Sequence, residues 1–573
     1  AMKIISIRKY LFLPLFLITG AVFSQDLGSE TVVVVKPYTP SVNDASKIKE
    51  VPAINDSVNL LKEPVEYRIF SVPVASTFTP VKGRATNIQR ERQAEIYDNY
   101  ATLGFGNHTS ILAEFYSKLE INRTDNFGIF LTHNSAQGGI DGVPVDDKYY
   151  DTELNLNYTS RQRDLSWNTE FGVEHQLINW YGVDPEIIAD FSQPLEPQQN
   201  YYSVYAGGEL QLEESFFDMA ELDYRFFTDA YSSMEHHINF HPSLEIPIAG
   251  EIFKTDIIVD FLSGSFDRNY FTEEGINYGF LNLGLSSGIL ILRDDLSLNL
   301  GAAVYYSRDM ERQDGGIHVY PRVEASYRIA GEYFVAYAGL KGELNQNTYY
   351  DFVQENPFVS PTLEIRPTDQ VYEGYLGAKG KFSNSVGYNF RGSYTAENYK
   401  PLFFSQSSLR GNTEEYSYGN SFGVIYDSVK TISAFGELSF DVNQDFLLRI
   451  NAEYFTYDPT KEEYAWNLPN FKASLLADYQ IGENWFAGAN LFLVGERKDK
   501  TDLTDILFSM VVPSPVTIDS YFDINAKFGH RFNEQLSFFV KGNNLLGNNY
   551  EKWQGFPVLG LQVMAGVTFK FDY

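Results

Sequence analysis

The last fifty or so residues repeat with a period of two, and that repeat limits the chain to a few folds. Phe522, Ile524, Ala526 and Phe528 fall on one side of an extended chain, with Asp523, Asn525, Lys527 and Gly529 on the other. After Asn533-Glu534-Gln535, Leu536, Phe538 and Val540 alternate with Ser537, Phe539 and Lys541. In the closing stretch Val563, Ala565, Val567, Phe569, Phe571 and Tyr573 alternate with Gln562, Met564, Gly566, Thr568, Lys570 and Asp572. A soluble sandwich also alternates, but it keeps its connections short at both ends. Here one connection has three residues and the next roughly twenty, the asymmetry of a membrane barrel with short periplasmic turns and long outer loops.

The same pattern recurs upstream. Tyr150, Thr152, Leu154, Leu156 and Tyr158 oppose Asp151, Glu153, Asn155, Asn157 and Thr159, and Ala220, Leu222, Tyr224 and Phe226 oppose Glu221, Asp223 and Arg225. Leu296 to Val304 and Phe446 to Tyr454 behave alike. The charged face is expected to meet a wet lumen and the apolar face lipid, because Lys or Arg facing lipid at mid-depth costs about 2 to 4 kcal/mol. Tight polar turns stand at Arg123 to Asp125, Gln162 to Asp164, Glu213 to Phe216, Ile248 to Gly250 and Arg293 to Asp295. Five more stand at Ala330 to Glu332, Ser383 to Ser385, Asn443 to Asp445, Gly482 to Asn484 and Asn533 to Gln535. Ten inner turns between a first and a last strand give an all-β, transmembrane antiparallel β-barrel of about 22 strands, over residues 95–573. The alternate connections are longer, about Gln176 to Gln199, Asn347 to Asp369, Asn398 to Ser428 and Arg497 to Ser520. Ser421 to Tyr426 also looks like a strand; counted as spanning it would make the total odd, so it is assigned to an outer-loop hairpin.

Composition agrees with this. The 45 Phe and 40 Tyr suit aromatic girdles, and the absence of Cys leaves no disulfide frame, zinc knuckle or N-terminal lipidated cysteine. A formal charge of -31 argues against nucleic acid as a partner, since the chain would repel phosphate. Lys3, Arg8 and Lys9 precede the apolar run Leu11 to Ile18, and Val22-Phe23-Ser24 offers a cleavage site, so residues 1–24 are expected to be a signal peptide. Residues 25–94 carry scattered prolines and charges, with too little apolar surface to offset the entropy of ordering. They are read as an extended periplasmic or lumenal segment. Within it Glu30, Thr31, Val32, Val33 and Val34 form a strand-like stretch with no sheet of its own, suited to adding onto the sheet edge of another protein, to packing within its own barrel or to trailing into the periplasm.

Nothing in the sequence assembles a catalytic or cofactor site. His236, His237 and His241 cluster, but without supporting cysteines they are read as wall residues. Asp141 to Asp151 lacks the spacing of a calcium loop and is read as a solvated acidic loop. The pairs Glu63 and Glu66, and Glu213 and Glu214, are what chance supplies in so acidic a chain. Neither a nucleophile elbow nor a phosphate-cradling glycine loop occurs, so no enzyme, metal or cofactor is expected.

Gly542-Asn543-Asn544-Leu545-Leu546-Gly547-Asn548-Asn549-Tyr550, Trp553, Gly555-Phe556-Pro557 and the final Gly566 to Phe571 resemble the end of a TonB-dependent receptor barrel, and Asn490 to Arg497 is similar to its preceding strands. The resemblance covers roughly the last 480 residues. It implies an outer-membrane protein of the receptor and transporter class in a Gram-negative cell. It also implies that Glu30 to Val34 is the segment offered to the energy-coupling protein TonB. The family normally carries a globular plug before its first strand, whereas fewer than 70 residues separate Gln25 from Ala94 here. Without a plug the lumen must be occluded by the N-terminal segment, by inward loops such as Asn398 to Ser428, or by another polypeptide. Two functions follow: passage or binding of a bulky solute at the cell surface, or an accessory role in a larger outer-membrane assembly that docks partners through the N-terminal segment and loops.

Overall fold

The computed structural model describes residues 97–183, 195–213, 215–248, 250–409, 414–443, 445–500 and 515–572. The expected signal peptide, the segment 25–94 and Glu30 to Val34 lie outside the described residues. From Asn99 onward the chain forms one 22-stranded antiparallel sheet. All ten expected tight turns join neighbouring strands, from the turn after Ile111–Glu120 to the one before Leu536–Asn543. The sheet closes on itself where Asn99–Gly106 pairs with Gln562–Phe571, Asn99 facing Phe571 and Gly106 facing Met564. Thr102 and Thr568 share a hydroxyl hydrogen bond of 2.9 Å across this seam, and Asn99 donates its side-chain amide to the Phe571 carbonyl at 2.9 Å. Closure leaves no unpaired edge, which is what allows strands to cross lipid.

The alternation has the polarity expected of it. Phe538 and Val540 are about half exposed on the outside, whereas Phe539 and Lys541, which alternate with them, are buried on the lumen side. Val563 and Phe569 likewise face out while Thr568 faces in. Ring-over-glycine contacts brace the lumen wall: a Cβ on Gly172 would lie 2.1 Å from Tyr205 Cζ, and one on Gly566 would lie 2.3 Å from Phe539 Cζ. Tyr205 is thereby held to donate its hydroxyl to Glu153 at 2.8 Å.

Strand length is uneven around the ring. The closing strands have 8 to 10 residues, close to the ~9–11 a membrane requires, whereas Val386–Ser405 has 20 and Phe422–Asn443 has 22. The long pair therefore stands above the membrane by about ten residues, on the order of 30 Å along the strand. Ser421 to Tyr426 is where the expectation needs correcting. Phe422 to Tyr426 is the outer end of a spanning strand, not a separate loop hairpin, and pairs with Pro401 to Ser405 above a register shift between Glu397 and Lys400. The ladder resumes beyond that irregularity, from Lys400 opposite Asp427 to Ser405 opposite Phe422, and the count of 22 stands.

Candidate functional site

Above the barrel the outer connections fold inward over the mouth, and one helix organises them. α1 (Tyr349–Glu355) begins at Thr348, whose hydroxyl accepts the Asp351 amide at 3.0 Å. Its first amides are met by the wall: the buried Glu235 carboxylate accepts the N–H of Tyr349 at 2.7 Å and of Tyr350 at 3.1 Å, and the Tyr278 hydroxyl at 2.8 Å. A carboxylate there suits the positive end of a helix. Asp229, at the end of its own strand, accepts the Tyr349 hydroxyl at 2.8 Å and the Ser233 amide at 2.9 Å. Arg225 lies over the Tyr350 ring, 3.8 Å from its centre, and donates to Ser203 at 2.6 Å.

Beyond α1 the chain meets loops from around the ring. The Pro357 carbonyl accepts Trp180 Nε1 at 3.2 Å and the Tyr201 hydroxyl at 2.9 Å. Phe358 stacks on Phe556 with centroids 3.8 Å apart, and the Tyr181 hydroxyl donates to the Pro557 carbonyl at 2.8 Å. The Phe422 amide donates to the Phe358 carbonyl at 2.9 Å, and Ser360 N–H returns to the Phe422 carbonyl at 2.9 Å. Asn420 donates to the Trp180 carbonyl at 3.0 Å. These contacts enclose a core of Trp180, Tyr349, Phe358, Tyr416, Phe422, Trp553 and Phe556. Loops rooted at the fifth and sixth, thirteenth and fourteenth, and last two strands of the ring thus converge to cap the mouth.

A second junction joins the raised wall to its neighbours. Asp499, in the small hairpin strand Arg497–Lys500, is fully buried and accepts the Ser405 amide at 3.2 Å, the Ser405 hydroxyl, and the Asn467 side-chain amide at 2.8 Å. Burial pushes its carboxyl up to about 6 despite these donors.

Of the residues singled out from sequence, His237 and His241 do line the lumen wall, 3.2 Å from Asp260 and 3.8 Å from Asp256 respectively. Asp147 is not solvated as expected. It is buried and accepts the amides of Gly138 and Ile140 at 2.7 Å each, ordering its own loop. Glu213 is exposed at an inner turn, and Glu63, Glu66 and Glu214 lie outside the described residues. The inward stretch Asn398 to Ser428 does contribute to the cap, through Phe403, Tyr416 and Phe422. Sequence reasoning missed Glu235, Asp229 and Asp499. One available signal was tryptophan: Trp180, Trp466 and Trp553, three of the five, stand in outer connections where lipid anchoring does not explain them.

No protein-family model matches the chain, and no curated protein is similar to it. Solved structures are. The FrpB iron transporter from Neisseria meningitidis superposes with a TM-score of 0.62 at 9% identity, covering 82% of this chain and 81% of that one. The pyoverdine outer membrane receptor FpvA from Pseudomonas aeruginosa PAO1 gives 0.61 at 12%, covering 84% and 80%. The fold is that of the TonB-dependent receptor barrels. The ferric-catecholate import receptor Fiu from K12 E. coli gives 0.59 at 10%, covering 83% and 82%. At such identities the likeness is one of fold. A closed barrel with an apolar outer face is built to cross a lipid bilayer with its strands.

Proposed function

We propose that this chain is a receptor and transporter-type barrel that binds a bulky solute at the cell surface and passes it inward, with Glu30, Thr31, Val32, Val33 and Val34 engaging a TonB-type energy-coupling protein. The observation that carries this reading is the cap. A ring of 22 strands is wide enough to enclose a large lumen, and its outer mouth is covered by loops that belong to the barrel itself. Those loops are the first surface a solute meets, and they must part before it enters. The similar solved structures, named as a copper transporter, an iron transporter and a pyoverdine outer membrane receptor, support the same class. Fold alone does not carry a solute from one protein to another. The test is deletion of Glu30 to Val34 in the full chain. Uptake of the solutes offered should cease while the barrel still assembles and migrates as a compact, heat-modifiable species; unchanged uptake would refute coupling through this segment.

A second reading keeps the barrel and drops transport: an accessory subunit of a larger outer-membrane assembly. The raised pair Val386–Ser405 and Phe422–Asn443 favours it, since it lifts wall above the membrane where a neighbouring protein can dock. It requires stoichiometric co-purification with other outer-membrane proteins under gentle extraction, and recovery of the chain alone would count against it.

A further inference from the structure

Beside the aromatic core of the cap, four outer connections enclose a cavity of about 370 Å³, within the size range of small-ligand sites. Tyr231, Asp267, Arg268, Glu273, Glu414 and Tyr416 line it. Arg268 is held by Glu414, Nη1 to Oε1 at 3.0 Å, and its Nε is buried without a partner. Asp267 and Glu273 have no cation within 4.0 Å among the described residues. Three carboxylates against one guanidinium leave the lining two charges negative, and a concave wall focuses such a field.

The aromatic side is fixed. Tyr231 is stacked on Trp180 at 5.6 Å, and Tyr416 meets Tyr231 edge to face at 5.1 Å. Tyr416 is only 1% exposed, yet its hydroxyl makes no hydrogen bond among the described residues. Its hydroxyl is thus available to a ligand in the cavity that Tyr416 lines.

We propose that this cavity binds a small organic cation, an ammonium or guanidinium group on a short polar stem. Asp267 and Glu273 supply the opposite charge, the Tyr416 hydroxyl fixes orientation, and the tyrosine rings offer faces to the cation. The inference names a solute class for the receptor surface proposed above and rests on that reading for its physiological meaning. Binding itself needs neither TonB nor uptake, so the two can fail separately: the deletion of Glu30 to Val34 reads transport, and the experiment below reads binding alone.

The purified full chain in detergent micelles is titrated with spermidine and with arginine methyl ester, using maltose as the neutral control, and followed by calorimetry and by the fluorescence of Trp180 beside Tyr231. One saturable site per chain is expected for at least one cation, weakened by raised salt and at least tenfold by Asp267→Asn with Glu273→Gln. Both substituted carboxylates are exposed, so the barrel should retain heat-modifiable migration. Tyr416→Phe should weaken binding several-fold while preserving the ring contacts. Absence of saturable binding by both cations, maltose binding as well as the cations, or an unchanged affinity in the doubly substituted chain would each overturn the proposal.

Discussion

Phe556→Ala removes the side chain on which the largest loops of the cap meet. The ring is 1% exposed, stacks on Phe358 at 3.8 Å and meets Tyr181 at 5.2 Å. Gly182 lies directly beneath it, where an added Cβ would come within 2.6 Å of Phe556 Cε2. A phenylalanine ring burying about 200 Å² at ~25 cal/mol per Å² is worth about 5 kcal/mol. Truncations of this kind in packed cores cost about 3 to 5 kcal/mol. No barrel strand contains Phe556, so the loss should fall on the cap and not on the wall. Hydrogen exchange separates the two. The amides of Phe422 and Ser360, which bridge the loops, should exchange roughly two to three orders of magnitude faster, at about 1.4 kcal/mol per tenfold. Amides of the closing strand Gln562–Phe571 should keep their protection. Unchanged exchange at Phe422, or equal loss in the closing strand, would refute the cap as a separately stabilised unit.

Three further outcomes follow from the same geometry. Because burial raises the Asp499 carboxyl to about 6 from an ordinary 3.8, the folded junction retains a proton that the unfolded chain has released. Its stability is therefore full below about pH 4 and falls by roughly 3 kcal/mol as pH rises through 6. Exchange of the Ser405 amide, corrected for intrinsic rate, should show that slope, and Asp499→Asn should flatten it. Glu235→Ala strands the Tyr349 and Tyr350 amides at about 1 to 3 kcal/mol each. Limited proteolysis should then cut within 346–367 well before the wall, and equal resistance would speak against the anchor. Val540→Arg places a charge on the lipid face at a cost of about 2 to 4 kcal/mol near mid-depth, whereas Lys541→Ala on the lumen face should leave folding yield nearly intact; equal yields would contradict the assigned faces.

The wall was legible in the sequence because its rules are local. Phe522 to Gly529 shows both faces of a strand within eight residues, and Asn533-Glu534-Gln535 marks an inner turn without reference to anything distant. Ser421 to Tyr426 shows the limit, since alternation identifies a strand but not whether it ends at the membrane or continues beyond it. The cap was not legible. Trp180 meets Pro357 across 177 positions, and Tyr181 meets Pro557 across 376. These are single side chains on single backbone carbonyls, with no period to reveal them. Asp147 and Asp499 looked like ordinary acidic loop residues for the same reason, because what distinguishes them is burial by chain that is remote in sequence. By itself, then, the sequence determined a closed barrel of 22 strands with lipid on one face and water on the other, since a two-residue period and a tight turn are settled by adjacent residues. Only the tertiary structure decided which loops meet over the mouth, because closing the ring is what brings distant connections within contact distance.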